Sequence, residues 1–328
     1  MAPLKNIVWV GTGRIGLPIL ERVLATGKFN IKLLVRNQVS AYTLPSGLAS
    51  AHQVDCKDHK ALVQHLKGQD AVIVFTSFVP GNELDVKNIR LVDAAIEAGV
   101  KYFLPSEWAP DTAGAMDSAP DRHGPTLPTD MALAPKRATH NYLLSRAAEG
   151  KIQFAGVFTG VLPEVNFSIG FFAFDFDKHT ATLPDNGLNP WPATSFSTLS
   201  KVVIALFTTP TLISNRFYHI SDGVFSHHDV FKVVEKTTGV PWTRSAFSIA
   251  EAREGALQNM AKGVYGPMEF FNSLQTGFFG GIQVWRHVDN ELFGVKFGEV
   301  DLRDEVADIV RRHVAGLGIK GTGPTYKR

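Results

Sequence analysis

One hexapeptide limits what this chain can fold into. Residues 11–16 read GTGRIG, directly after the apolar run IVWV (7–10) and directly before a stretch from Leu17 to Ala25 with helical spacing. Three glycines in this spacing form a weak signal alone, but between a buried strand and a helix each acquires a task. Gly11 permits the tight turn, Gly13 lets backbone amides approach a pyrophosphate, and Gly16 lets the helix pack closely on the strand. The helix amino terminus adds unpaired N–H groups that favour an anion.

The following residues continue the alternation. Ile31–Val35 reads as a strand, 58–68 as a short helix, 70–78 as containing the strongest strand, 85–99 as a helix and 100–106 as a strand. An aperiodic loop rich in Pro and Gly runs from 109 to 134, Pro135 starts a helix that stops at Gly150, and 152–160 is a further strand. Loops of this length in compact domains are usually functional or mobile, and closure of 109–134 over a ligand is a question it raises. Beyond Gly160 the regularity fades into Phe-rich segments, with helices starting near Ser197, Ser226 and Ile249. This pattern predicts an α/β fold: a Rossmann-type doubly wound parallel sheet with a smaller, irregular α/β substrate lobe. Residues 1–160 form the dinucleotide-binding domain and 161–328 mainly the lobe, with segments in about 215–240 returning to the sheet.

Composition excludes several classes. Among 328 residues, 33 Lys and Arg stand against 31 Asp and Glu without clustering, so no footprint for nucleic acid or an acidic membrane is expected. Cys56 is the sole cysteine, which rules out an internal disulfide and a cysteine zinc site. No signal-peptide core or membrane span is evident, which suggests a cytoplasmic protein. A homodimer is compatible with the sequence, but nothing in it specifies one.

An NAD site usually places a carboxylate at the end of the second strand. Here that strand ends LLVRN, with no carboxylate before Asp55. Arg36 instead suits the 2′-phosphate of NADPH/NADP⁺, and Arg14 in the glycine loop adds a second positive charge. The short-chain dehydrogenase pair Tyr-x-x-x-Lys is absent, since Arg146 follows Tyr142. Lys136, at the expected start of a helix, is the candidate proton carrier, its amine pKa lowered by the helix terminus and by burial. By spacing alone it could equally be an exposed lysine.

Several segments together resemble the isoflavone-reductase-like and NmrA-like group of atypical short-chain dehydrogenases/reductases. They are the glycine loop, LLVR (33–36), LKGQDAVI (66–73), AGVKYFLPSEW (98–108), the PKRATHNYLL helix, FTGVLPE (158–164) and DNELFG (289–294). The resemblance implies NADPH on a Rossmann domain and gives Lys136 the role of general acid/base and ribose contact. It implies cofactor contacts from Gly11, Thr12, Gly13, Arg14, Ile15, Gly16 and Arg36, from Thr76, Ser77 and Phe78, and from Ser106, Phe158 and Gly160. Glu107, Trp108, Val161 and Leu162 would border the substrate, and His123 in the long loop would be a second proton donor or simply exposed.

Three departures stand out. The loop is one residue shorter than the family's, no second basic residue follows Arg36 through Ser40, and Trp108 replaces a smaller or Phe-like residue. His227 and His228 are adjacent on a helix, so no metal site is expected; Ser226 reads as an N-cap and Asp175/Asp177 as a polar edge. The expectation is an NADPH-dependent reductase of a small aromatic or conjugated metabolite in specialised-metabolite biosynthesis. The alternative is a non-catalytic, NADP(H)-sensing NmrA-like regulator of a protein partner.

Overall fold

The computed structural model describes residues 2–76, 83–111, 128–280, 285 and 287–317. The alternation in the sequence becomes one seven-stranded sheet. It contains β1 (Asn6–Val10), β2 (Asn30–Val35), β3 (Ser50–Gln53), β4 (Ala71–Val74), β5 (Tyr102–Leu104), β6 (Gln153–Phe158) and β10 (Arg216–His219). Their order is β10-β6-β5-β4-β1-β2-β3, and every pairing is parallel. Parallel strands are covered on both faces, which explains apolar runs such as AVIV rather than alternation. Successive side chains feed opposite layers. Trp9, Ile31, Leu33 and Ile73 join Ile19, Leu199 and Phe207 of α1 (Gly16–Leu24) and α6 (Phe196–Thr208). Val8, Leu34, Val72 and Phe103 join Leu62, Leu91 and Leu143 of α2 (His59–Leu66), α3 (Leu84–Glu97) and α4 (Pro128–Ala148). The strand order reverses between β1 and β4, so the crevice that serves such folds opens at the carboxyl edge beside the glycine loop.

One boundary differs from the sequence reading. Helix α4 starts at Pro128, and Pro135 lies in its interior. Pro128 takes the first helical position, where its missing N–H costs nothing. Pro135 is the less common case of proline continuing a helix, which local rules read as a start. Lys136 therefore sits two turns inside α4, and the helix-terminus contribution to its chemistry does not apply.

The smaller lobe uses β8 (Thr180–Pro184), flanked by β7 (Phe174–Asp175) and β12 (Thr243–Phe247), and the pair β9 (Trp191–Ala193) and β11 (Gly223–Phe225). Around them lie α5 (Pro163–Ser168), α7 (His227–Thr238), α8 (Ile249–Ala261), α9 (Pro267–Phe278) and α10 (Leu302–Val314). Phe171, Phe172, Trp191, Phe225, Trp242 and Phe279 fill its core. Of the later segments, β10 joins the large sheet, whereas α7 packs on α10 and β8. Ser226 caps α7, accepting from the Asp229 N–H at 3.2 Å while its own N–H donates to Asp229 at 3.0 Å. His227 is enclosed by Phe172, Trp191 and Phe279, and burial pushes its pKa down to about 3. Asp175 closes a turn, accepting from the N–H groups of Asp177 and Lys178.

Candidate active site

The three glycines differ in the space around them. At Gly11, φ is +95° and an added Cβ would stand 2.4 Å from the Phe75 carbonyl oxygen. At Gly16 a Cβ would meet the Gly11 carbonyl oxygen at 2.8 Å and Phe75 Cβ at 2.9 Å. At Gly13 a Cβ would meet nothing within 4 Å. Gly11 and Gly16 are thus required by the protein's own packing, whereas Gly13 borders an open space at the head of α1. Ile15, the residue preceding that helix, gives no side-chain cap, and the first turn carries no acid. The arrangement fits the phosphates of a dinucleotide.

Thr12 is buried, while Arg14 and Arg36 are exposed and Ile15 is half-buried. Burial first, and then the Asp55 charge, raise the Cys56 thiol pKa, while Lys87 and Arg90 of α3 and Arg36 each pull it down. Arg36 and these two cations thus share Cys56 as a neighbour.

At the next strand ends the polar groups are buried. The Thr76 N–H donates to Ser106 Oγ at 3.1 Å, and Thr76 Oγ1 donates to Asn88 at 3.2 Å. Ser77, Phe78 and His123 lie outside the described residues. Lys136 Nζ donates to the main-chain carbonyls of Ser106 and, at 2.7 Å, Glu107. Its side chain is buried, and that burial lowers the amine pKa while the Glu107 charge raises it. Glu107 Oε1 lies 2.5 Å from His140 Nε2, both side chains being almost fully buried. One residue after β5 thus grips α4 at two positions a turn apart.

The remaining expected positions are packed inward. Trp108 has φ +37°, donates from Nε1 to the Val74 carbonyl at 2.7 Å, and stacks on Phe75, which stacks in turn on Trp9. The ring of Phe158 stacks on Phe217. Gly160 has φ +61° and no room for a Cβ, which would fall 2.2 Å from the Pro192 carbonyl oxygen. Val161 and Leu162 belong to the cores on either side.

Sequence reasoning missed a second polar group at this edge. Asp111 Oδ2 lies 2.8 Å from His219 Nε2 at the end of β10. His219, His287 and Asp289 also bring donor atoms within 4.8 Å of one another. The Asp289 carboxylate accepts from Arg216 Nη2 and from the His219 N–H, each at 2.8 Å, so both of its oxygens are engaged within the protein. Asp111 and His219 stand 108 positions apart in the chain, and no local spacing connects them.

Fold and site together define a dinucleotide-binding protein of the Rossmann class with a lysine-bearing helix beside its switch point. The sequence model of the NmrA-like family matches residues 5–278, and the chain belongs to that family. It is 28% identical over 260 residues to "Oxidoreductase aprR" of Aspergillus flavus, covering 79% of this chain and 82% of that protein. Its fold matches that of pinoresinol-lariciresinol and phenylcoumaran benzylic ether reductases with a TM-score of 0.68 at 20% identity, covering 93% of this chain and 98% of the other. Triphenylmethane reductase of Citrobacter sp., complexed with NADP(H), gives a TM-score of 0.68 at 16% identity, covering 92% and 99%. Among the described residues no helix is long and apolar enough to cross a membrane.

Proposed function

We propose that this protein is an NADPH-dependent reductase of a small aromatic or conjugated molecule, acting in specialised-metabolite biosynthesis. The observation that carries the reading is one shared edge: the open space at Gly13, after β1, and the buried amine of Lys136, at the end of β5, both lie at the carboxyl edge of the sheet, with β4 between them. NADPH, when bound, supplies the hydride. Gly11 to Gly16 hold its phosphates, and Arg36, with Lys87 and Arg90 nearby, meets the 2′-phosphate. Lys136 orients the ribose and organises the proton at the reacting centre, a carbonyl, imine, activated alkene or quinone-methide-like carbon. The oxidoreductase name of the aprR relative and the NADP(H) complex of the dye reductase support the same reading.

The test is calorimetric titration with NADPH, NADH and NADP⁺, followed by NADPH absorbance against a panel of aryl aldehydes, enones and quinones. The expected result is micromolar NADPH binding, weaker NADH binding, and turnover that Lys136→Ala reduces by roughly a hundredfold with binding largely kept. One observation favours the sensor alternative: Lys136 Nζ is held by main-chain carbonyls, as a purely structural lysine would be. NADPH binding without turnover on the whole panel would establish that alternative.

A further inference from the structure

We propose that Asp111 and His219 form the proton-delivering dyad of this site, with His219 facing the substrate and Asp111 orienting its ring. The proposal rests on the reductase reading above. Lys136 can orient the ribose and organise the proton from within, but it is only 4% exposed and its amine donates to the carbonyls of Ser106 and Glu107, so a second group has to carry the proton to the substrate. His219 differs: its side chain is 20% exposed, whereas that of Asp111 is 4%. The chain delivers Asp111 by running 109–111 along the end of β6, where the Thr159 N–H donates to the Ala109 carbonyl at 2.9 Å. The pair therefore closes over β6 at the edge where ligands of such folds bind. Phe158 and Trp285 pack beside the imidazole, with ring centroids at 5.4 and 4.8 Å.

A histidine held by a buried carboxylate at one nitrogen keeps the other for proton transfer, and the carboxylate steadies the imidazolium. The charged and titratable groups around His219 are Asp111 from the segment after β5, Arg216 on its own strand, His287 just before the DNELFG turn and Asp289 at its first position. His140 of α4 stands behind Phe158, paired with Glu107. In a carbonyl reduction the carbon gains hydride, with its electron pair, from the reduced nicotinamide, which is oxidised. The C=O π pair moves to oxygen, which takes the proton of the His219 imidazolium as that N–H bond breaks. Solvent then reprotonates the imidazole.

Two readouts test this on the full chain: ¹⁵N ring resonances of NADP⁺-loaded protein, and the pH profile of kcat with cinnamaldehyde and 1,4-naphthoquinone as probes. Recorded on the alkaline side of the kcat limb, the expected wild-type spectrum shows the His219 proton fixed on Nε2, identified by its loss in His219→Gln, and released to a tautomer mixture in Asp111→Asn. In the profile, His219→Gln lowers kcat by roughly a hundredfold and abolishes the limb on which rate falls as pH rises, with NADPH affinity kept. Asp111→Asn lowers kcat less. A His219 tautomer indifferent to Asp111→Asn, or turnover that His219→Gln leaves within twofold with the limb intact, overturns the dyad alone. NADPH binding with no oxidation of either probe, nor of the wider panel, overturns the reductase reading and the dyad's catalytic role with it.

Discussion

The two ends of the sheet's carboxyl edge are built on opposite plans. At the glycine loop, Gly13, Arg14 and Arg36 are exposed, and recognition relies on backbone shape and screened charge. Past β5, Glu107, Asp111, Lys136 and His140 are each at most 5% exposed and bonded within the protein. The first end can lose a side chain and keep its fold, while at the second a lost partner strands a buried polar group. Recognition and stability should therefore separate at one end and remain tied at the other.

The strongest test of that tie is Glu107→Ala, which leaves His140 and Lys136 buried without the carboxylate. The expected loss is about 3 kcal/mol of unfolding free energy, read by denaturant titration. A variant as stable as the wild type would mean that the buried pair contributes nothing and that the contrast fails. The glycine loop sharpens the comparison within a single turn. Gly11→Ala must adopt a left-handed φ and push against the Phe75 carbonyl, for an expected cost of about 2–4 kcal/mol. Gly13→Ala has free space around it, so stability should stay within about 0.5 kcal/mol while NADPH affinity drops roughly tenfold or more. Equal effects of the two substitutions on stability would remove the assignment of Gly13 to the ligand.

Legibility in the sequence follows the same division. The glycine loop, the helix that follows it and the strands up to β6 other than β3 could be read because they depend on neighbours within a few residues, whereas the short run Ser50–Gln53 carries no strand pattern of its own. The Ser226 cap could be read for the same reason. The interior proline of α4 misled the reading because only a packed tertiary setting lets a helix run through it. For Lys136 the sequence reading named two causes of a lowered pKa, a helix terminus and burial; burial beneath the end of β5 stands, while the terminus lies two turns away. Trp108, Phe158, Val161 and Leu162 matched motif positions, yet a motif does not reveal which way a side chain turns: Trp108, Val161 and Leu162 turn into the cores, and Phe158 is buried against Phe217. The pairs Glu107–His140 and Asp111–His219, and the shared approach of Arg36, Lys87 and Arg90 to Cys56, come from chain crossings that no spacing rule encodes.

Arg36→Ala asks whether charge at the exposed end is separable from folding. An exposed arginine at a strand end contributes little to stability, so unfolding should shift by no more than about 0.5 kcal/mol. NADPH affinity should fall about tenfold, NADH affinity should hold, and the difference should shrink as salt rises. Lys87→Ala should lower NADPH affinity by a smaller factor in the same direction. Loss of NADH affinity to the same extent would show that these cations do not read the 2′-phosphate.

The smallest expected effect extends the buried-polar rule to the seam with the smaller lobe. Glu164 of α5 is buried, accepts from the Phe196 N–H at 2.7 Å, and has its pKa raised to about 8, first by burial and then by the charge of Glu305 on α10. The unfolded chain releases this proton near the ordinary value of 4.5, so between there and about 8 the folded state binds more protons than the unfolded one. The corresponding stability is complete below that lower value and is lost as pH rises through the folded pKa. Glu164→Gln keeps an acceptor for Phe196 and removes the titration. Melting temperatures of the two proteins should coincide at pH 5 and diverge at pH 8, with the variant higher by a few degrees. A gap that is the same at both pH values would mean that Glu164 enters the fold already ionised, and the seam would then follow the plan of the exposed end.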